Sequence, residues 1–338
     1  AEELLLSSRD VLSEEYYYEY AVKNKICQAR YDDALVILSE GLSKLPDSPR
    51  LWRHKAYVHQ LRGEFEAAEK VYRKLHYDED PNVDLLERQS WLAKIFVARG
   101  HFREAENLIR DSFSKLAGGS YRFQTIPLRI ILADLNFRRK EFRESLRNYE
   151  EANLVASQAN DYDCQKSALT GLTKTLLELS QLNEAKQTAE ELGRLIKQTG
   201  SRKQNRCHLL VLGKIAQAQG DIDQAINYYQ TALTLLSGQS TPVDEHAICL
   251  ESLASAYWQK KDWLNAARIY NDIMNLTWGR LQWGDTYALS YYWLAKVSEK
   301  QGLGKKAGEN YRKFLDIWQT ADPEIPEVQE AKSKITKP

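Results

Sequence analysis

The side chains best suited to catalysis are histidine, cysteine and carboxylate groups, and their spacing in this chain argues against a catalytic or metal site. The six histidines lack the HExxH spacing of a zinc site, and the four cysteines include no CxxC pair. Neither GxSxG nor the GKS or GKT ending of a phosphate-binding loop occurs. Adjacent glutamates diverge around a helix, so they do not form a pair of acids. We therefore expect no enzyme activity, no metal and no cofactor.

One glycine-rich stretch, GLGKKAG at 302–308, matches a nucleotide-binding loop only in part. Its glycines have the spacing GxGxxxG instead of GxGxxG. It also follows helix-forming sequence, whereas a dinucleotide-binding loop follows a strand. Nucleotide binding is therefore not expected. Gly302 and Ala307 belong instead to a repeat that runs through the chain.

The composition is that of an ordinary soluble protein. The chain has 338 residues, of which 43% are hydrophobic and 28% charged. Its 47 basic and 47 acidic side chains give zero net charge, which argues against nucleic acid or an anionic membrane as a partner. No run of 18 apolar residues and no signal peptide is visible, so no transmembrane segment is expected. Cysteines expected to be buried thiols favour a reducing compartment, so we expect a cytoplasmic protein. The start at Ala1 favours a fragment or a processed product.

The helix-forming stretches that would position any functional group share one recurring pattern. In LRGEFEAAEKVYRKL (61–75), Gly63 is followed at fixed distances by Phe65, Ala68 and Tyr72. Eight copies occur, and their small residues are Ala34, Ala68, Ala105, Ser145, Ala185, Ala225, Ala266 and Ala307. The residues at the glycine position are Ala29, Gly63, Gly100, Lys140, Ser180, Gly220, Lys261 and Gly302. A second small residue stands twelve positions earlier in seven copies, at Ala56, Ala93, Ala133, Thr173, Gly213, Ala254 and Ala295.

Each copy is predicted to form a pair of helices. The residue at the glycine position ends the first helix in a left-handed conformation, which costs most other residues free energy. The small residue lies where the second helix crosses the first, and a larger side chain there would overpack by ~1–3 kcal/mol. Because one pair cannot bury both of its faces, the pairs are expected to stack into a solenoid.

This pattern resembles the tetratricopeptide repeat, whose unit is an antiparallel helix pair of 34 residues. The resemblance covers roughly Ser13 to Thr320. The second copy shows it best, with matching residues at Trp52, Ala56, Gly63, Phe65, Ala68 and Tyr72. The resemblance implies an all-α, right-handed superhelix of about eight antiparallel helix pairs plus a C-terminal capping helix. Later copies are separated by 37 to 41 residues, which implies longer helices or turns.

We expect a single solenoid over residues 1–338. An Ala-Gly-Gly-Ser stretch predicts a soft hinge at 117–125, between units 1–3 (13–116) and units 4–8 (126–320). An ordinary helix-ending turn would have the same composition. The tail, 321–338, is expected to cap the last unit.

The same resemblance implies that recurring positions of each first helix line a concave surface. The candidate groove residues are Arg50, Arg53, Tyr57, Lys94, Phe137, Lys174, Lys214, Trp258, Tyr292 and Lys296. A partly basic groove with aromatic surfaces suits an acidic or carboxylate-bearing peptide. Lys23 and Tyr57 stand where the family's carboxylate clamp needs asparagine, so that clamp is not expected. The alternative is a solvated lysine face that binds nothing.

The stretch WGRLQWGD at 278–285 falls between the last two units and carries Trp278 and Trp283. Two interpretations are open, a packed turn between units or an exposed aromatic binding site. For the whole chain we expect a non-catalytic scaffold or adaptor that binds a partner protein or peptide in its groove. The alternative is a regulatory module that senses a peptide or metabolite within a larger signalling protein.

Overall fold

The computed structural model describes residues 13–76, 80–116, 121–236, 238 and 245–335. These residues contain seventeen α-helices, two short 3-10 helices (Arg202–Gln204 and Trp278–Arg280) and no strand. In chain order the α-helices are α1 (Glu14–Cys27), α2 (Tyr31–Lys44), α3 (Pro49–Leu61), α4 (Phe65–Lys74), α5 (Pro81–Ala98), α6 (Phe102–Lys115), α7 (Ile126–Arg138), α8 (Phe142–Ala159), α9 (Tyr162–Glu178), α10 (Leu182–Thr199), α11 (Asn205–Ala218), α12 (Ile222–Thr234), α13 (His246–Gln259), α14 (Trp263–Met274), α15 (Gly284–Lys300), α16 (Gly304–Ile317) and α17 (Pro326–Ile335). No helix in these ranges is both long and apolar enough to cross a membrane.

The turn within each helix pair lies where the repeat predicts it. All eight residues at the glycine position have a positive φ, between 55° and 86°. At Gly63 this conformation turns the chain back, so that the N–H of Glu64 donates to the carbonyl of His59 at 2.9 Å. The second helix then begins two residues after the turn residue in every copy, as it does at Phe65. The sequence pattern therefore predicts both the end of one helix and the start of the next.

Small residues lie where paired helices cross. None of the eight predicted small residues is more than 3% exposed. Successive pairs also meet closely: Gly171 of α9 lies directly beneath the ring of Tyr149 of α8, and a Cβ at Gly171 would be 2.2 Å from ring carbons. Each helix from α1 to α17 packs against the next along the chain, which is the packing of an α-solenoid. The count of eight units and the right-handed superhelix stay predictions.

The C-terminal helix covers the last apolar surface of the array. Val328 and Ala331 of α17 are buried in a cluster that also contains Tyr292 of α15 and Phe314 of α16. An amphipathic helix at the end of a solenoid shields a face that has no further repeat to cover it. The helical part of the predicted capping tail therefore packs as a cap.

Part of the predicted hinge at 117–125 lies outside the described residues, namely 117–120. In the described part, the hydroxyl of Tyr121 donates to the carboxylate of Asp80 at 3.1 Å and accepts a hydrogen bond from the amide of Asn82 at 3.0 Å. These contacts link the start of unit 4 to the start of α5. The hinge itself stays a prediction.

The array closes on itself near its C-terminal end. Trp278, between α14 and α15, is fully buried against α3, where its ring lies 5.8 Å from those of His54 and Tyr57. The amide of Gln60 donates to the carbonyl of Leu281 at 2.8 Å, across 221 positions of sequence. In a simple solenoid each repeat contacts only its neighbours, so this contact is an additional interface.

A second closing contact joins the C-terminal end of α5 to the end of α16. The backbone N–H of Asp322 donates to the carbonyl of Gly100 at 3.0 Å, and the carboxylate of Asp322 accepts from the N–H of Arg103 at 2.9 Å. Gly284 at the start of α15 approaches Ala98 so closely that a Cβ at Gly284 would lie 2.4 Å from the Ala98 Cβ. Helices α5 and α15 also pack together, so the helices from α5 to α15 form a closed circuit of contacts.

Candidate ligand-binding cavity

The closed circuit surrounds a cavity of about 1120 Å³. Its walls come mainly from the first helices of successive pairs, α5, α7, α9, α11 and α13, together with residues 282–285. Six basic side chains line it, Lys94, Arg138, Lys166, Lys174, Arg206 and Lys214. Six acidic side chains line it as well, Asp134, Asp163, Glu178, Glu245, Glu251 and Asp285. The wall is therefore balanced in charge and is not a basic groove throughout.

One ion-pair network crosses from α7 to α13 and α15. The guanidinium of Arg138 lies 2.7 Å from the carboxylate of Asp285 and 3.5 Å from that of Glu251. Burial alone would lower the pKa of Arg138, but these two carboxylates raise it. Burial raises the pKa of Asp285, and Arg138 opposes that rise. The network therefore holds Arg138 charged and connects the wall of the cavity to the start of α15.

Several other charges of the wall are also paired. Lys174 lies 3.2 Å from Asp134, and its ammonium is 4.1 Å from the centre of the Phe137 ring. Arg206 pairs with Glu245 at 2.6 Å. These groups are already compensated, so a ligand would have to compete for them.

Lys94 and Lys214 differ, because neither has a hydrogen bond or ion pair among the described residues. Burial lowers the pKa of Lys94 to about 8, with a small opposing effect from Glu87, and its ammonium lies 4.2 Å from the Trp91 ring centre. Burial also lowers the pKa of Lys214, which the nearby carboxylate of Glu251 partly offsets. Both side chains are half-buried. They are the uncommitted cations of the cavity.

An aromatic surface forms the end of the cavity near α13 and α15. Trp258 packs edge-to-face with Trp293 at 5.3 Å and with Trp263 at 5.0 Å between ring centres. Trp258 and Trp293 both line the cavity, as does Tyr270. This wall can bury an apolar side chain of a ligand, and its rings offer flat faces for stacking.

The ten sequence-predicted groove residues divide into two sets. Five of them line the cavity together, Lys94, Phe137, Lys174, Lys214 and Trp258. The other five lie outside it, Arg50, Arg53, Tyr57, Tyr292 and Lys296. The first set belongs to α5, α7, α9, α11 and α13, which enclose the cavity. The second set lies on α3 and α15.

The five predicted residues outside the cavity all make contacts within the protein. Arg50 pairs with Glu19 at 3.3 Å, and the ring of Tyr57 is buried beneath Trp278. Tyr292 donates its hydroxyl to Glu330 of α17 at 2.5 Å, and Lys296 pairs with the same carboxylate. Arg53 lies 3.8 Å from Glu87. These side chains therefore hold helices together in the closed array.

Sequence reasoning did not single out Arg138, Asp285 or Glu178 as cavity residues. Arg138 directly follows Phe137 in the same inward-facing turn, so its position was a usable signal. Asp285 faces the cavity only because α15 returns to α7, and no local pattern encodes that return. Glu178 lines the wall as a carboxylate without a hydrogen bond or ion pair among the described residues.

The cysteines provide neither a metal site nor a reactive thiol at the wall. Burial, with a further contribution from the neighbouring Glu245, raises the pKa of Cys207 to about 12, so the thiol stays protonated. Cys249 is buried and Cys164 half-buried, whereas Cys27 is exposed, so the expectation of burial was wrong for Cys27. Across the described ranges, no three histidine, cysteine or carboxylate groups are placed to hold a metal ion.

Comparisons with known proteins agree with this fold. The sequence profile of the tetratricopeptide repeat matches residues 205–277, which span α11 to α14. No curated protein gives a significant match. Among solved structures, a Rap protein complexed with competence and sporulation factor has a TM-score of 0.53 at 11% identity, covering 95% of this chain and 96% of that one.

Two further structures are similar at lower scores. A tetratricopeptide repeat protein from Parabacteroides merdae has a TM-score of 0.46 at 15% identity, over 85% of this chain and 97% of its own. BtubC from P. vanneervenii has a TM-score of 0.45 at 18% identity, over 64% of this chain and 89% of its own. Residues 205–277 therefore match the tetratricopeptide repeat family, and the consecutive helix pairs of the described residues have the α-solenoid fold of such an array.

Proposed function

We propose that this protein is a non-catalytic interaction scaffold that holds an acidic or carboxylate-bearing segment of a partner protein in its central cavity. Tetratricopeptide repeat arrays generally serve as protein-interaction scaffolds. The Rap protein with the same fold was solved in complex with a separate factor. The four cysteines form no disulfide, which suits a reducing compartment, and we place the function in the cytoplasm.

The observation that carries the proposal is the presence of two uncommitted lysines in a wall whose other cations are mostly paired. An anionic group that reaches Lys94 or Lys214 would replace a desolvated, unpaired ammonium with a charge-assisted contact. Because the six basic and six acidic groups of the wall balance, long-range attraction contributes little. Local pairing at these two lysines, with Trp258 burying an apolar neighbour of the anion, would supply the affinity.

This proposal can be tested with a library of random eight-residue peptides. Each peptide is made once with a free C-terminal carboxylate and once as the amide. Binding peptides should be enriched in Asp and Glu or should require the free carboxylate. Replacing Lys94 and Lys214 together with glutamine should weaken their binding at least about tenfold. The matched control replaces Lys305 and Lys306, two exposed lysines of α16, with glutamine and should leave binding unchanged. Equal affinity for the Lys94/Lys214 variant and the wild type would sink the proposal.

The alternative, a module that senses a short peptide or metabolite, is favoured by the closed circuit from α5 to α15. A partner chain cannot enter sideways between α5 and α15 while these helices are packed together, whereas a small ligand needs only a narrow opening. To distinguish a scaffold from a sensor, the selected peptide is inserted into a folded carrier protein and its binding is measured again. A scaffold tolerates the carrier, and a sensor of short ligands requires the isolated peptide.

A further inference from the structure

Residues 276–283, called here the closing segment, lie on α3 and α5 in the way that a bound peptide lies in a groove. Trp278 packs its ring against those of His54 and Tyr57, is fully buried, and belongs to the same hydrophobic cluster as Trp91 of α5. Tyr57 is one of the positions predicted to face the concave surface. Part of the surface expected to hold a partner is therefore filled by the chain itself.

Backbone contacts complete this likeness to a bound peptide. The side chain of Gln60 donates to the carbonyl of Leu281 at 2.8 Å. In the opposite direction, the guanidinium of Arg280 donates to the carbonyl of Leu61 at the end of α3. Recognition of a short peptide segment commonly combines such backbone contacts with one large side chain in a pocket.

The contact is imperfect in its polar pairing. The indole N–H of Trp278, the Nε2 of His54 and the Oε1 of Gln60 are all buried without a hydrogen-bond partner among the described residues. The Nδ1 of His54 contacts the carbonyl of Arg50 at 2.8 Å, which requires its proton, so Nε2 of the neutral ring is an acceptor. Buried polar groups without partners cost free energy that solvent exposure would recover. Three of them at one contact make this closure easier to open than its apolar area suggests.

The closing segment also leads directly into the cavity. Asp285 stands two positions after Trp283 and pairs with Arg138 on the far wall. Trp283 and Gln282 themselves line the cavity. A movement of the closing segment would therefore alter the cavity wall as well as uncover α3.

We propose that the closing segment is an autoinhibitory internal ligand of α3 and α5, which a partner segment presenting a large aromatic side chain displaces. The proposal extends the scaffold function above, because displacement uncovers a second binding surface next to the cavity. The occupant that competes has the chemistry of what it replaces, a short turn-forming segment with a tryptophan-sized side chain. Since the internal copy is tethered, it competes at a high effective concentration.

A labelled synthetic peptide of residues 275–284 is the probe, and fluorescence anisotropy measures its binding to the intact chain. We expect the Trp278→Ala protein to bind this peptide at least about tenfold more tightly than the wild type, because its internal ligand is weakened. A peptide with alanine in place of its first tryptophan should bind neither protein. Equal or absent binding to both proteins would overturn the proposal. Adding Lys94→Gln and Lys214→Gln to either protein should leave its affinity for the 275–284 peptide unchanged. This experiment therefore tests the closing segment separately from the cavity lysines.

Hydrogen exchange covers the case in which Trp278→Ala does not fold. Gln60→Ala removes one hydrogen bond at the same contact and should raise exchange of amides in 276–283 by about two- to tenfold. Amides of α8 to α12 should exchange as in the wild type. Exchange in 276–283 that stays at the wild-type rate, or that rises only together with α8 to α12, would show that the segment does not open on its own and would overturn the proposal.

Discussion

Trp318 donates its indole N–H to the carbonyl oxygen of Ala98 at 2.9 Å, although 220 positions separate the two residues along the chain. Ala98 ends α5, and Trp318 follows α16 directly. The bond lies beside Gly100, above which Trp318 and Ala321 pack. The turn within the third helix pair, between α5 and α6, therefore contacts the far end of the array.

Replacing Gly100 with alanine should destabilise the protein more than replacing Gly302 does. Both glycines have a φ of +74°, so each substitution carries the same strain of about 1 kcal/mol. A Cβ at Gly100 would also lie 2.7 Å from the Ala321 Cβ, whereas nothing lies within 4 Å of one at Gly302. The clash should add about 1–3 kcal/mol. Urea unfolding of both variants measures the difference, and equal losses would contradict the closing contact at Gly100.

Replacing Lys140 with glycine should stabilise the protein by about 0.5–1 kcal/mol. Lys140 has a φ of +62° and an exposed side chain, so it carries left-handed strain without compensating burial. Glycine removes the strain, and its greater freedom in the unfolded chain offsets only part of the gain. Lys186, inside α10 beyond its first turn, is an exposed control, where glycine should cost about 1 kcal/mol. Thermal unfolding should show a higher melting temperature for Lys140→Gly and a lower one for Lys186→Gly than for the wild type.

Lys94 should give the stability a specific dependence on pH. Burial lowers its pKa from 10.5 to about 8 in the folded protein, so between these values the unfolded state binds more protons. Stability should therefore rise with pH across this window. Lys94→Met should raise stability by about 1–3 kcal/mol at pH 7 and remove this rise. Chemical unfolding at pH 7, 8 and 9.5 tests this, with Lys305→Met on α16 as the exposed control.

Breaking the Arg138–Asp285 pair from one side should be costly. Arg138→Met leaves the carboxylate of Asp285, which is 2% exposed, without its main partner and should cost about 3–5 kcal/mol. Adding Asp285→Asn should recover a large part of that loss. The double-mutant cycle then gives the coupling free energy between Arg138 and Asp285.

The exposed pair of Lys260 and Asp223, at 2.6 Å, is the comparison for this cycle. Lys260→Met should change stability by less than about 1 kcal/mol, since water screens that pair. If Arg138→Met proves as mild as Lys260→Met, the buried network does not link α7 to α15 as described.

The local structure of the repeats could be predicted from the sequence because short-range rules control it. Ala29, Lys140, Ser180 and Lys261 adopt the left-handed conformation predicted for glycine at the same place, since the turn between paired helices requires it. Ser145 replaces alanine at a crossing and is still fully buried, where its hydroxyl donates to the carbonyl of Ala133 at 2.9 Å. The position of a residue within the repeat therefore determines its backbone conformation and burial more than its residue type does.

The closure could not be predicted in the same way, because it depends on the curvature accumulated over many units. The packed interpretation of the 278–285 stretch is confirmed for Trp278, which is fully buried. Its partners on α3 and α5 were not predictable from neighbouring sequence. The column of lysines was predictable from the repeat, whereas the carboxylates that neutralise some of them come from other helices. Lys174 pairs with Asp134 of α7, for example, and Lys296 with Glu330 of α17.

The contact between Gln60 and Leu281 has a consequence for how the chain is made. Solenoids usually have low contact order, because each repeat packs on its neighbour as it is synthesised. Here α3 is covered only after the closing segment has been made, since Leu281 lies 221 positions after Gln60. At about 5–20 residues per second, the ribosome needs roughly 10–45 seconds to supply it. During that interval the apolar faces around Tyr57 and Trp91 stay uncovered on the nascent chain. Chaperone engagement and co-translational aggregation should therefore concentrate on this N-terminal surface.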